Sequence, residues 1–149
     1  MFREKIDKPK WFLGSIHVQD SDVHGAGCFA TRDIKADEVI ERAPIILFHK
    51  NSFDNFGVHP GGKHILQDYV YMWKDGMMAC VLGYGMIYNH SSTPNAFYRK
   101  IFDVPCMEYV ACGDIRAGEE IFLNYYPGYY AKDLDFDIAG GHFFKGKVE

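Results

Sequence analysis

Two stretches of this chain concentrate groups that could do chemistry. Tyr88-Asn89-His90-Ser91-Ser92-Thr93-Pro94-Asn95 gathers amide, imidazole and hydroxyl side chains around a proline. An Asn-His pair entering a Ser/Pro turn offers a dense set of donors and acceptors, on backbone expected to be irregular rather than strand. About thirty residues later comes Gly118-Glu119-Glu120-Ile121-Phe122-Leu123-Asn124-Tyr125. It reads as a glycine turn, two carboxylates and an apolar strand that delivers a tyrosine at its end.

Other chemistries fit the chain poorly. Gly57-Val58-His59-Pro60-Gly61-Gly62-Lys63-His64 matches part of a phosphate-binding loop, but His64 stands where a magnesium-binding Ser or Thr is needed, and no convincing buried strand precedes it. Asp133-Leu134-Asp135-Phe136-Asp137 begins like a calcium loop, yet Ile138 replaces the required glycine and Phe144 the closing glutamate. The 7 histidines show no metal-ligand spacing, and nothing marks a nucleophile elbow. No metal is expected.

The elements that must position these groups are short strands cut by turns. Strands are predicted over Leu13–Val18, after Gly25-Ala26-Gly27 through Thr31, over Val39–Phe48, Met77–Leu82, Ala96–Phe102, Cys106–Ala111 and Glu120–Asn124. Pro44 places the long third strand at a sheet edge or a bulge. Residues 49–63 read as a loop, Ile65–Trp73 as a helical turn or a strand, and Tyr84–Asn89 as a short helix. Many short strands at such spacing predict a small, mostly β domain with few short helices and no repeat, and the length of 149 residues predicts a single domain over 1–149.

Taken jointly and in order, the motifs resemble the SET-domain protein lysine methyltransferases. His24-Gly25-Ala26-Gly27-Cys28-Phe29-Ala30, followed by Ile34-Lys35-Ala36-Asp37-Glu38-Val39-Ile40-Glu41, is similar to the opening SET segment. Leu82-Gly83-Tyr84-Gly85-Met86-Ile87-Tyr88-Asn89-His90-Ser91 with Pro94-Asn95-Ala96 looks like the central one. Ile115-Arg116-Ala117-Gly118-Glu119-Glu120-Ile121 and Tyr125 look like the closing one. Asp37 stands where the family usually has glycine, a swap that turn geometry tolerates. Met86 and Gly83 stand where many histone-directed members carry Arg and Asn. No cysteine cluster follows Tyr125, so the chain most resembles compact viral and bacterial members without a zinc-bound post-SET module.

The resemblance covers about residues 14–130, leaving 131–149 as a tail, and implies small curved sheets around a knot-like crossing of the Asn89-His90 and Tyr125 segments. It implies methyl transfer from S-adenosylmethionine to a lysine amine of a protein, with a histone tail as one candidate substrate. Tyr125 would be the catalytic tyrosine, and Tyr69 would wall the lysine channel and hydrogen-bond the amine. Gly25, Ala26, Gly27, Asn89, His90, Tyr125 and Tyr130 would hold the cofactor. Tyr69, Tyr84, Leu123 and Tyr129 would line the channel, Leu123 at a position that influences how many methyls are added.

Such chemistry suits a site rich in tyrosine and poor in bases. A lysine of ordinary pKa, about 10.4, is neutral in only about one part in 2,500 at pH 7, a penalty of roughly 4.6 kcal/mol. Burial in an aromatic channel beside a sulfonium cation lowers that pKa by desolvation and like-charge repulsion. Alignment of nucleophile, carbon and sulfur supplies much of the rest.

Composition sets outer bounds. The net charge of −4 argues against a nucleic-acid partner held by phosphates, and is compatible with a basic peptide. Four cysteines without CxxC spacing read as free thiols of a reducing compartment. With no 18-residue apolar run and no signal-peptide core after Met1, a soluble intracellular protein without membrane contact is expected, cytoplasmic or, for a histone substrate, nuclear. The acidic tail with His142-Phe143-Phe144 could dock on the domain or on a second subunit of a homodimer. Two rivals remain: a catalytically silent SET-like module that binds cofactor or peptide, and an unrelated β-rich interaction domain.

Overall fold

A computed structural model describes residue 11 and residues 14–55 and 65–125. The sequence expectations for Tyr129, Tyr130 and the tail fall outside the described residues. Strands dominate what is described: β1 (Ile16–Asp20), β2 (Ala26–Ala30), β3 (Val39–His49), β4 (Tyr71–Met72), β5 (Met77–Val81), β6 (Asn89–His90), β7 (Ala96–Ile101), β8 (Cys106–Ala111) and β9 (Phe122–Leu123). Two 3-10 turns, Lys50–Asn55 and Ile65–Asp68, complete the set. β1 and β2 form a hairpin, β4-β5-β3-β8-β7 form the main sheet, and β6 and β9 pair as a third, two-stranded unit.

Several expectations change. The first strand starts at Ile16, and Ile65–Trp73 supplies both a 3-10 turn and β4. Pro44 does not sit on an edge strand, because β3 is third of five. It stands where β3 changes partner: Val39–Pro44 pairs with β8 and Ile45–His49 with β5. A proline lacks an N–H to give either ladder, and the change of partner needs none there; the carbonyl still accepts Leu82 N–H at 2.8 Å. The bulge falls earlier, between Val39 and Glu41.

The predicted helix over Tyr84–Asn89 is absent. The segment is a run of bends and turns ending in β6, and Gly83 at φ 131° breaks any helical start. Nor is Asn89-His90 irregular: it pairs in parallel with Phe122-Leu123.

A short internal repeat, also unforeseen, closes the fold. Asp33-Ile34-Lys35-Ala36-Asp37-Glu38 and Asp114-Ile115-Arg116-Ala117-Gly118-Glu119 pair about a local two-fold. Ile34 and Ile115 exchange N–H···O bonds at 2.7 and 2.8 Å. Asp33 Oδ1 accepts Ala117 N–H at 2.9 Å, and Asp114 Oδ1 accepts Ala36 N–H at 3.0 Å. Asp37 N–H donates to the Ala111 carbonyl and Gly118 N–H to the Ala30 carbonyl, both at 2.8 Å. Asp37 (φ 67°) therefore takes the left-handed turn that Gly118 (φ 86°) takes in the other copy. The clasp fixes the chain just after β2 and just before β9, two of the elements that carry the candidate site.

The core is built of Ile34, Ile40, Val81, Tyr88, Met107, Tyr109, Ile115, Ile121 and Leu123, all at most 1% exposed. On the sheet, Arg42, Glu108 and Arg99 form one cross-strand row. The Glu108 carboxylate accepts Arg42 Nε at 2.7 Å and Arg99 Nη2 at 2.6 Å. Burial opposes its ionisation, but the two guanidiniums outweigh that and hold the carboxyl below its ordinary range. A carboxyl lowered on folding contributes stability above its unfolded pKa and loses it as pH falls through the folded value. Glu108→Ala is expected to cost about 1–3 kcal/mol at pH 7, since both arginines stay partly solvated. Urea unfolding would show this, with the gap to wild type closing as pH drops below the ordinary carboxylate range.

Candidate functional site

Three segments converge beside β2. The parallel pairing of β6 with β9 sets Asn89 opposite Phe122 and His90 opposite Leu123. Ser91 N–H donates to the Leu123 carbonyl at 2.9 Å. Asn95 clamps the same strand from the turn: its Nδ2 donates to the Glu120 carbonyl and its Oδ1 accepts Phe122 N–H, each at 2.8 Å. The Ser/Thr/Pro turn thus serves to hold the arriving C-terminal strand.

Asn89 faces the β1–β2 hairpin. Its Nδ2 donates to the His24 carbonyl at 3.1 Å, the Ala26 carbonyl at 3.2 Å and Glu120 Oε1 at 2.8 Å. Two N–H groups serve three acceptors, and the shortest bond goes to the carboxylate, as charge assistance predicts. Glu120 Oε2 accepts the Ser21 hydroxyl at 2.9 Å. A Cβ at Gly27 would overlap the Glu120 carboxylate, so any larger residue there would displace that carboxylate from Asn89 and Ser21. Gly25 differs: it takes φ 51° and its Cβ direction is open, so conformation explains it. Glu120 is therefore a hub of hairpin, β6 and β9. In the sequence it stands within the closing motif with no role of its own.

His90 and Tyr125 meet at 5.1 Å between ring centroids. His90 Nδ1 accepts Tyr125 N–H at 3.0 Å, which requires an unprotonated Nδ1. Burial lowers the imidazole pKa, consistent with a neutral ring. The Tyr125 hydroxyl donates to the Tyr88 carbonyl. Both ends of Tyr125 are thereby fixed by the residues just before and within β6.

Beneath them lies a buried polar layer. Tyr88 is 1% exposed and its hydroxyl donates to Glu41 Oε2 at 2.7 Å. Tyr84 N–H donates to Glu41 Oε1 at 2.8 Å. The Tyr71 hydroxyl donates to the Gly85 carbonyl at 2.6 Å, and the Tyr109 hydroxyl lies 3.2 Å from that of Tyr71. Burial pushes the Tyr71, Tyr88 and Tyr109 phenols well above their ordinary pKa, so each stays a neutral donor. Tyr71, Tyr88, Tyr109 and Glu41 had no assigned role in the sequence, because apolar-run patterns treat such residues as packing.

The structure brings Asn89, His90, Leu123 and Tyr125 together with the His24–Gly27 loop. Leu123 is 0% exposed and belongs to the core. Tyr84 is half-buried at the start of the turn segment. Tyr69 is half-buried after the 3-10 turn, its N–H donating to the Leu66 carbonyl at 3.0 Å. Among the described residues no group of three or more His, Cys, Asp or Glu side chains could hold a metal. Nor is any helix there long and apolar enough to cross a membrane.

Comparison with known proteins agrees with this geometry. The SET domain profile matches residues 25–126, a span running from the hairpin glycine to just past Tyr125. The histone-lysine N-methyltransferase, H3 lysine-37 specific, of Schizosaccharomyces pombe is 28% identical over 110 residues, 74% of this chain and 72% of that protein. A Plasmodium falciparum structure described as a histone methyltransferase candidate superposes with a TM-score of 0.59 at 31% identity, over 74% of this chain and 92% of that one. The Polycomb Repressive Complex 2 of Chaetomium thermophilum shares the fold at 20% identity, with a TM-score of 0.58 over 76% of this chain and 15% of that one. Profile, relatives and the β6–β9 pairing agree: the chain belongs to the SET domain family of protein-lysine methyltransferases.

Proposed function

We propose that this protein methylates the side-chain amine of a lysine in a basic protein, using S-adenosylmethionine. One observation carries the reading: Tyr125 is fixed at both its backbone amide and its hydroxyl by His90 and Tyr88. A tyrosine so held presents an aligned oxygen without reorganisation.

The donor set suits a sulfonium-bearing amino acid. A cation is tolerated because His90 is held neutral by burial. The open side of Gly25 lets backbone come close to a ligand. Gly25, Ala26 and Gly27, with Asn89, His90, Tyr125 and Tyr130, are the residues proposed to hold the cofactor. When bound, it supplies an electrophilic methyl group. The chain's own part is to desolvate the lysine, favouring the neutral amine, and to align it. Tyr69, Tyr84 and Tyr129 are proposed to wall the channel. Leu123, already enclosed in the core, would set its depth and thereby the number of methyls accepted.

The Schizosaccharomyces pombe relative is named for lysine 37 of histone H3. The chain's net charge of −4 favours a basic segment of that kind, and a histone tail is the substrate proposed. Incubation with methyl-labelled S-adenosylmethionine, core histones and a cell lysate tests this. Label in protein lysine is the expected result. Cofactor binding without transfer to any protein would favour a silent module, and absence of cofactor binding would overturn the reading.

A further inference from the structure

Glu41 lies 1% exposed on β3 and is as buried as the core around it. Glu108, the other deeply buried acid, lies between two guanidiniums. Glu41 has no cation within ion-pair distance among the described residues. Such an ion is costly to bury, and an apolar side chain would fit the core at lower cost. Burial pushes its carboxyl up against the opposing pull of the Tyr84 amide and the Tyr88 hydroxyl.

Its contacts all fall on one segment. Oε1 accepts Tyr84 N–H and Oε2 accepts the Tyr88 hydroxyl. Gly83, at φ 131°, lies so close that a Cβ there would overlap the carboxylate. The segment from Leu82 to Tyr88 has no regular structure of its own. It is pinned at its centre by the Tyr71 hydroxyl on the Gly85 carbonyl, and at both ends by Glu41. Its last carbonyl, that of Tyr88, receives the Tyr125 hydroxyl.

We infer that Glu41 is a positioning residue for methyl transfer: its carboxylate, spanning the Tyr84 amide and the Tyr88 hydroxyl, fixes the segment whose Tyr88 carbonyl aims Tyr125. The inference rests on the methyltransferase reading for its kinetic consequence, and on geometry alone for its structural one. Two groups at separate ends of a turn segment need two polar atoms on a rigid fork, which Glu supplies from a paired strand as two acceptors. Gln preserves the fork, because its amide oxygen can accept from Tyr84 and its nitrogen can donate to the Tyr88 hydroxyl.

Methyl transfer, cofactor affinity and residue-resolved amide exchange are measured on wild type, Glu41→Ala, Glu41→Gln and Tyr88→Phe. Glu41→Ala is expected to lower kcat by at least about tenfold while the cofactor Kd changes less than about threefold. Glu41→Gln should recover most of that rate. The Tyr125 amide should exchange faster in Glu41→Ala and not in Glu41→Gln. Tyr88→Phe removes one strut and keeps the ring, so kcat should fall about three- to tenfold in a folded protein. If Glu41→Ala does not fold, Tyr88→Phe decides. A kcat within about threefold of wild type in folded Glu41→Ala, or within about twofold in Tyr88→Phe, overturns the inference. So does Glu41→Gln as slow as Glu41→Ala, which would assign the effect to charge. A wild type that transfers no methyl sinks the methyltransferase reading instead; unchanged Tyr125 exchange in the variants would then overturn the positioning role by itself.

Discussion

Tyr125→Phe is expected to slow methyl transfer by at least about tenfold, about 1.4 kcal/mol of barrier, while leaving the fold in place. The substitution deletes one oxygen. His90 Nδ1 still accepts the residue 125 amide, and the ring still packs against the imidazole. The lost bond is that to the Tyr88 carbonyl, at a site that is only partly buried. Its removal should cost about 0.5–1.5 kcal/mol of stability, the ordinary value of a hydrogen bond. A rate loss clearly larger than the shift in unfolding midpoint therefore separates a role in the reaction from a role in packing. Loss falling on kcat with the cofactor Kd unchanged would place the hydroxyl at the transferring methyl. A rate within about twofold of wild type would remove Tyr125 from the reaction and leave it as a clasp on β6.

How much of this was readable in the sequence depends on range. The strands β2, β5, β7 and β8 follow local apolar runs bounded by turn residues; β8 has the expected limits, and the other three end one residue earlier than expected. Asn89-His90 looked irregular because its pairing partner, Phe122-Leu123, is distant in the chain and the pairing is parallel. No local pattern reports such a pair. The same holds for the two-fold clasp: Asp33 and Asp114 lie far apart in the chain, and each caps the other copy's turn. The short helix expected over Tyr84–Asn89 is absent for a similar reason: a glycine at φ 131°, held against a buried carboxylate, precedes it. The family motifs marked Asn89, His90 and Tyr125, which the fold does unite. Glu41 and Glu120 lay within those motifs without a role, because their partners are visible only in three dimensions.

The two acids divide the labour of the site. Glu120 ties the hairpin loop to β6 and β9 on the proposed cofactor side, through Ser21 and Asn89. Glu41 ties the turn segment to β3 on the side of the Tyr125 hydroxyl. Each replaces regular secondary structure where the chain has little of it. Short two-residue strands such as β6 and β9 contribute few ladder bonds. Their placement is set instead by side chains that bond backbone, and such placement is lost in one step when the side chain is cut.

Asn89 offers the sharpest case. The residue is 5% exposed, and its side-chain amide bonds the hairpin at two carbonyls and β9 through Glu120. Asn89→Ala leaves these acceptors short of a donor, at an expected cost of about 2–4 kcal/mol. Asn95→Ala, which removes two bonds from a half-buried clamp, should cost about 1–2 kcal/mol. Asn89→Asp tests the sign of the interaction at constant shape. It puts a carboxylate against two carbonyls and a second carboxylate, all acceptors. At pH 7 it should destabilise at least as much as alanine, because repulsion adds to the lost bonds. Protonation returns one donor, so this variant alone should gain relative to Asn89→Ala as pH falls toward 4. Urea unfolding of the three variants across pH gives that comparison, and a titration with S-adenosylmethionine gives its functional side. Affinity should fall at least about tenfold in Asn89→Ala and far less in Asn95→Ala. Equal affinities in the two would mean that the hairpin loop takes no part in holding the cofactor, and that Asn89 serves only to close the fold.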